Sequence, residues 1–348
     1  MQANNPVLMI RADANVAIAT GHAMRCLALA QAWQDTGGRA VFAMAESVPA
    51  IDARIAAEKI QTININESPG SLADATRTAD LASGCNAAWI VADGYHFGSE
   101  YQHRVKNSAV KLLFLDDNGR AGNYAADFVL DSNPHANESL YAKREAYTRL
   151  LLGPGYALLR REFRACRDWK RAIPDLGRKV LVTLGGSDPD NVTLSIIEGL
   201  KTLRIEGLEA VVVVGGSNPH FRTLELAVGG DNRIRLAKDA SNMPELMAWA
   251  DVAISAAGST CWEMCLLGVP TLLISLASHH IPIAKWLDQK SVSTDIGTRQ
   301  QLSSQAIACR LESLLNDAEA RERMSRRARN LVDGTGALKV TTLLKNHE

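Results

Sequence analysis

The chain has 348 residues, 47% of them hydrophobic and 22% charged, with 38 basic side chains balanced by 38 acidic ones. This length exceeds what one core commonly supports, so two domains are expected, and the composition is that of a globular chain able to bury a sizeable interior. A formal net charge of +0 gives no electrostatic reason to expect nucleic acid or an anionic membrane as partner. No stretch approaches the roughly 18 consecutive apolar residues of a membrane span. Residues 1–6 lack the basic start and apolar centre of a signal peptide, and the expected location is cytoplasmic. The cysteines, Cys26, Cys85, Cys166, Cys261, Cys265 and Cys309, form no CxxC pair. Buried thiols are expected rather than metal ligands, and neither a metal nor a cofactor is called for.

Strand-like and helix-like runs alternate along most of the chain, the pattern of parallel sheets with crossover helices. In the first half, strands are expected at residues 7–10, 40–44, 60–65, 88–92, 111–115 and 128–130, with helices at 22–35, 49–58, 71–82 and 99–107. Between about 141 and 177 the pattern turns charged and irregular, which marks a boundary. A second alternating set has strands at 179–184, 210–214, 234–236, 252–255 and 271–275, then helix-rich sequence over 303–332 and a last helix over 338–345. The expected organisation is a domain over 1–155, a linker over 156–177, a second domain over 178–335, and a terminal helix over 336–348 that returns to the first domain. Both domains read as doubly wound, Rossmann-like α/β units whose binding loops face a shared cleft.

The most informative block runs from Arg11-Ala12-Asp13 to Gly21-His22-Ala23-Met24-Arg25. It carries His22 into the first turn of a helix behind a buried strand. There the unpaired N–H groups and the positive end of the helix dipole disfavour imidazolium, so a neutral ring able to accept a proton is expected. Asp13, just past the strand, either orients His22, contacts a sugar, or forms the turn. Asp93 and Tyr95 follow the strand at 88–92, where the tyrosine either faces His22 or covers the sheet edge.

In the second half, Leu184-Gly185-Gly186-Ser187-Asp188 leads from a strand towards a helix. It is either a glycine turn needed for backbone geometry or an anion cradle assisted by the helix start. The block 253–263, with Gly258, Ser259 and Glu263, is a strand, a small-residue loop and a helix start; Glu263 either reaches a ligand hydroxyl or completes a capping box with Thr260. In the linker, Tyr156 and Arg160 fall in Gly155-Tyr156-Ala157-Leu158-Leu159-Arg160, and Arg160 is either a diphosphate fork or a solvated charge. His279-His280 precedes another helix, where hydrogen bonding is favoured over metal binding.

Taken together, these blocks, with Leu113-Phe114-Leu115-Asp116-Asp117 and Tyr156 to Phe163, resemble the hydrolase family of pseudaminic acid biosynthesis. Its members remove UDP from UDP-2,4-diacetamido-2,4,6-trideoxy-β-L-altropyranose. The resemblance implies a GT-B-type fold like that of the lipid II-forming transferase, with UDP held by the second domain. It implies His22 as the catalytic base with Tyr95 near it. It also implies the Gly185-Gly186-Ser187 turn at the diphosphate, Glu263 at the ribose and the His279-His280 loop near the diphosphate or sugar; Asp13, Gly21, Asp93, Tyr156, Arg160, Gly258 and Ser259 are further substrate-binding candidates. The implied reaction is displacement at the anomeric carbon by water, with inversion, backbone N–H groups serving the diphosphate without a metal, in a protein that works as a monomer. Ala19 stands where the family has glycine, and His279-His280 where Asn-Gln is common. The competing readings are a UDP-sugar glycosyltransferase of the same fold and a nucleotide-sugar-binding protein without turnover.

Overall fold

A computed structural model describes residues 5–15 and 20–347. The departure at Ala19 lies outside the described residues. The chain divides into two compact units, Met1–Arg164 with Gly334–Glu348, and Ala165–Asp333.

The first unit contains β1 (Val7–Ala12), α1 (Gly21–Asp35), β2 (Arg39–Met44), α2 (Pro49–Ala57), β3 (Gln61–Asn64), α3 (Leu72–Gly84), β4 (Ala87–Asp93), α4 (Ser99–Lys106), β5 (Lys111–Leu115), β6 (Phe128–Asp131), β7 (Arg149–Leu152) and the single turn α5 (Arg161–Arg164). Its strands form one parallel sheet in the order β3-β2-β1-β4-β5-β6-β7. β1 is buried along its whole length because both of its faces are covered, which is why residues 7–10 read as an apolar run, with the buried Arg11 following. The chain leaves β1 towards β2 and β3, then crosses back to β4 on the other side. The carboxyl ends of β1 and β4 therefore flank the point where strand order reverses, the usual crevice for ligands in such sheets.

The second unit contains β8 (Lys179–Thr183), α6 (Val192–Thr202), β9 (Glu209–Val214), α7 (Phe221–Val228), β10 (Ile234–Lys238), α8 (Met243–Trp249), β11 (Val252–Ala256), α9 (Thr260–Leu267), β12 (Thr271–Ser275), α10 (His280–Gln289), β13 (Thr294–Thr298), α11 (Ser304–Asn316) and α12 (Ala318–Leu331). The sheet order is β10-β9-β8-β11-β12-β13, again parallel, with its reversal between β8 and β11. The last helix, α13 (Gly336–Lys345), belongs to the first unit, where Ala337, Val340 and Leu344 join the core containing Trp33 and Trp89.

Two strands depart from expectation. β7 lies in the stretch read as irregular, and β13, Thr-Asp-Ile-Gly-Thr, was not anticipated. Both are edge strands, which need one paired side only and can be polar. The expected linker is divided between the units. Arg161 and Arg164 bind Asp35 at 2.8 Å and 2.6 Å, tying α5 to the first unit. Arg171 donates to the carbonyls of Met247, Ala250 and Leu267, and Gly177 N–H to Leu315, tying the remainder to the second. Among the described residues no helix is long and apolar enough to cross a membrane.

Candidate active site

Gly21 opens α1 directly behind the β1 loop, and His22, its second residue, is 6% exposed. Register pairs Ala12, the last residue of β1, with Asp93, the last residue of β4. That pairing delivers a carboxylate to the helix start, and His22 Nδ1 lies 2.6 Å from Asp93 Oδ1. Arg25, one turn along α1 on the same face, donates to both oxygens of Asp93 at 2.6 Å and 2.7 Å and to Asp117 Oδ1 at 3.0 Å. Asn133 Nδ2 donates to the same Asp117 oxygen at 2.9 Å, and Cys26 Sγ sits 3.4 Å from Asp93 Oδ2.

Burial would raise the Asp93 carboxyl, but the charge of Arg25, aided by His22, holds it well below the usual carboxylate range. Asp117 is lowered in the same way, its burial outweighed by Arg25. An anionic Asp93 is an acceptor, so the short contact assigns a hydrogen to His22 Nδ1, and in the neutral ring the lone pair then lies on Nε2. The competing approach of Arg25 Nη2 to Nδ1 is longer, at 3.3 Å. Among the described residues Nε2 carries no hydrogen bond. Tyr95 packs its ring edge-on to His22 with centroids 4.6 Å apart, and burial together with Asp117 pushes its hydroxyl up to about 12, so it stays protonated near neutrality.

The other first-unit candidates are engaged within the protein. Asp13 does not orient His22. It is 1% exposed, bound by Arg11 at 2.6 Å and by the N–H groups of Ala45 and Glu46, with His96 at 3.2 Å, and Asp93 takes the orienting position. Asp93 itself is fully buried and engaged by His22, Arg25 and Cys26, which makes it the partner of the histidine. Tyr156 packs against the core of the first unit, where the backbone of residues 156–157 closely approaches Gly336 of α13. Arg160 already faces a carboxylate, Glu162 at 2.9 Å, and lies over the Phe163 ring. Arg25, Asp117 and Asn133 received no role from sequence, although the i, i+3 spacing of His22 and Arg25 signals a shared helix face.

In the second unit the candidates gather behind neighbouring strands β8, β11 and β12. Gly185 has φ +88°, a left-handed conformation that suits glycine, and the Gly186 carbonyl accepts from Ser217 N–H, pinning the turn to the loop behind β9. Ser187 follows, half-buried. The start of α6 is not open to a ligand, however. The Asp188 carboxylate, 3% exposed, accepts from the N–H groups of Val192 and Thr193 and from the Thr193 hydroxyl. The expected anion cradle at this helix is therefore occupied by the chain's own acid.

The start of α9 differs. Ser259, not Thr260, stands at its N-cap, without a side-chain cap hydrogen bond, and Glu263 lies in the first turn, half-buried. His279 caps α10 and His280 begins it, their rings edge-to-face at 4.5 Å. Leu276 N–H donates to His280 Nδ1 at 3.3 Å, which places the hydrogen on Nε2. A Cβ on Gly258 would lie 3.6 Å from that Nε2, so the ring meets the loop ahead of α9. Burial, reinforced by His279, lowers His280 to about 4, so it is a neutral donor. Among the described residues no cluster of His, Cys, Asp and Glu is arranged to hold a metal ion.

Residues 180–336 match the model of the glycosyltransferase family 28 C-terminal domain. The chain superposes on MurG from Acinetobacter baumannii with a TM-score of 0.68 at 15% identity, covering 99% of this chain and 100% of that one. The fold is of the GT-B type. HepE from Anabaena in complex with UDP-glucose shares this GT-B fold, with a TM-score of 0.64 and 14% identity over 98% of this chain and 100% of that one. In sequence, the chain is 25% identical over 244 residues to the spore coat polysaccharide biosynthesis protein SpsG of Bacillus subtilis, spanning 70% of this chain and 71% of SpsG. These likenesses show a GT-B-type fold whose residues 180–336 are similar to the family 28 glycosyltransferase C-terminal domain.

Proposed function

We propose that this protein hydrolyses a UDP-linked 2,4-diacetamido-2,4,6-trideoxy sugar to UDP and the free sugar, by C1–O cleavage with inversion. The observation that carries the reading is the His22–Asp93 pair at the reversal point of the first sheet, with Nδ1 held by a carboxylate and Nε2 left with its lone pair. His22 Nε2 takes a proton from a water aimed at the anomeric carbon. Asp93 fixes the ring and stabilises the imidazolium as it forms, while Arg25 keeps Asp93 anionic. UDP departs as a stable anion, so the donors that receive it matter more than a separate general acid. Support for a UDP-bearing substrate comes from the family 28 match over 180–336 and from a neighbour of the same fold solved with UDP-glucose. The uncapped start of α9 with the His280 Nε2–H donor is the place for the diphosphate, and Glu263 is assigned to the ribose.

The second reading is a UDP-sugar glycosyltransferase, favoured by the domain that matches residues 180–336. Here a hydroxyl replaces water as the nucleophile, with His22 unchanged in role. Incubation with the UDP-linked diacetamido sugar, followed by NMR, separates the two: free reducing sugar as the α/β-inverted product supports hydrolysis, and turnover only with an added acceptor supports transfer. Replacement of His22 by Asn is expected to slow UDP release by about a thousandfold while UDP binding measured by calorimetry is unchanged. Undiminished turnover removes His22 from the mechanism.

A further inference from the structure

The loop behind β5 places one cation over the Tyr95 ring, which packs against His22. Its two acids are turned inward. Asp117 is bound by Arg25 and Asn133, and Asp116 accepts from Asp117 N–H at 2.6 Å, from Arg120 N–H at 3.1 Å, and from the Tyr124 hydroxyl. Asn118 and Gly119 are consecutive left-handed residues, with φ +80° and +70°, and a Cβ on Gly119 would lie 2.7 Å from the Leu140 carbonyl oxygen. The turn is therefore fixed on both sides of its tip, by Asp116 at the backbone of residue 120 and by the side chain of Asn118 on His135.

What this turn presents is Arg120. The residue is exposed, and its guanidinium carbon lies 4.5 Å from the centre of the Tyr95 ring, whose edge meets His22. Among the described residues no carboxylate lies within 4.0 Å of the guanidinium, although its own loop carries two acids. Stacking occupies the face of a guanidinium and leaves its in-plane N–H fork outward, the geometry that grips a phosphate in two places.

We infer that Arg120 is a diphosphate-binding residue, seated on the Tyr95 ring that packs against His22. This inference rests on the proposed reaction: a diacetamido-trideoxy sugar is uncharged, so in the UDP-linked substrate the only anion is the diphosphate. When C1–O breaks, the bonding pair goes to the phosphate oxygen, and the fork receives the charge that develops there.

The test compares wild type with Arg120→Met, Arg120→Lys and Arg120→Ala, each checked for an unchanged near-UV spectrum. With the UDP-linked sugar, Arg120→Met is expected to lose about tenfold to a hundredfold in kcat/KM, Arg120→Lys to recover only part, and low-millimolar methylguanidinium to restore Arg120→Ala severalfold. Rescue by a free guanidinium is not expected of a residue that merely props Tyr95. Calorimetry with inorganic pyrophosphate supplies a second arm that needs no turnover: affinity falls about fivefold or more in Arg120→Met. If wild type releases no UDP, the proposed reaction fails, and the pyrophosphate arm still decides the role of Arg120. Equal pyrophosphate affinity in wild type and Arg120→Met, or no pyrophosphate binding by wild type, overturns the inference. So does a loss of turnover without rescue.

Discussion

Behind β1, β4 and β5 of the first unit, the loops bury charge: Arg25 sits among Asp93 and Asp117, with His22 at its side. Behind β8, β11 and β12 of the second, the loops carry small residues, a neutral histidine and backbone donors, and their buried acid, Asp188, is spent on capping α6. Two sheets of the same winding thus end in opposite chemistry. A buried ion network holds the histidine ring in one orientation, which suits proton transfer. Uncharged donors at a helix start suit an anion that must be held and then released.

The largest effect expected from breaking this contrast comes from Arg25→Met. It leaves Asp93 and Asp117 buried without their cation and should cost about 3–5 kcal/mol of stability at neutral pH, measured by denaturant unfolding. With Arg25 gone, burial and the mutual repulsion of the two acids outweigh what His22 and Asn133 still supply, and both should rise above the ordinary carboxyl range. The folded variant then takes up protons more readily than the unfolded chain, so its deficit should shrink as the pH is lowered from 7 towards 5. A deficit that does not change with pH would place the role of Arg25 in packing.

A smaller, opposite dependence belongs to the second unit. His280 titrates at about 4 when folded and near 6.5 when unfolded. The unfolded chain therefore binds the extra proton between these values, and stability contributed by the neutral ring is fully present above pH 6.5 and lost as the pH falls towards 4. His280→Gln should flatten that acid limb by about 2 kcal/mol, read from unfolding curves at pH 7 and pH 4.5. An unchanged pH profile would mean that the ring is not held neutral against the Gly258 loop.

The smallest change sharpens the comparison within the second unit. Asp188→Ala should cost about 1–2 kcal/mol through the lost cap. It also opens the start of α6, so added phosphate should recover part of the loss in a thermal melt, which it should not do for wild type. Failure of phosphate to stabilise the variant would show that the α6 start cannot serve as an anion site even when vacated.

Much of this was legible in the sequence. The alternation of apolar runs with helical segments marks the parallel sheets, and the block ending in Gly21-His22-Ala23-Met24-Arg25 marks a strand-to-helix turn. What escaped depended on pairing across the sheet. That Asp93, and not Asp13, meets His22 follows from the register of β1 against β4, which nothing local to either strand reveals. β13 escaped because a polar edge strand has no apolar signature. Asp188 escaped because its cap depends on a left-handed φ of +40°, a conformation that an aspartate tolerates but does not announce.

The return of α13 to the first unit has a consequence for how the protein is made. Trp89 of β4 hydrogen-bonds the Leu344 carbonyl at 3.0 Å, and Lys345 reaches the Thr36 carbonyl at 2.6 Å. On the ribosome, residues 165–333 emerge as one continuous stretch and can fold as they appear. The unit that carries the histidine must wait, its tryptophan uncovered, until a helix translated more than 170 residues after Arg164 arrives to close it. His22 precedes the intervening unit in the chain, and the unit that holds it closes only after residues 165–333 have been made.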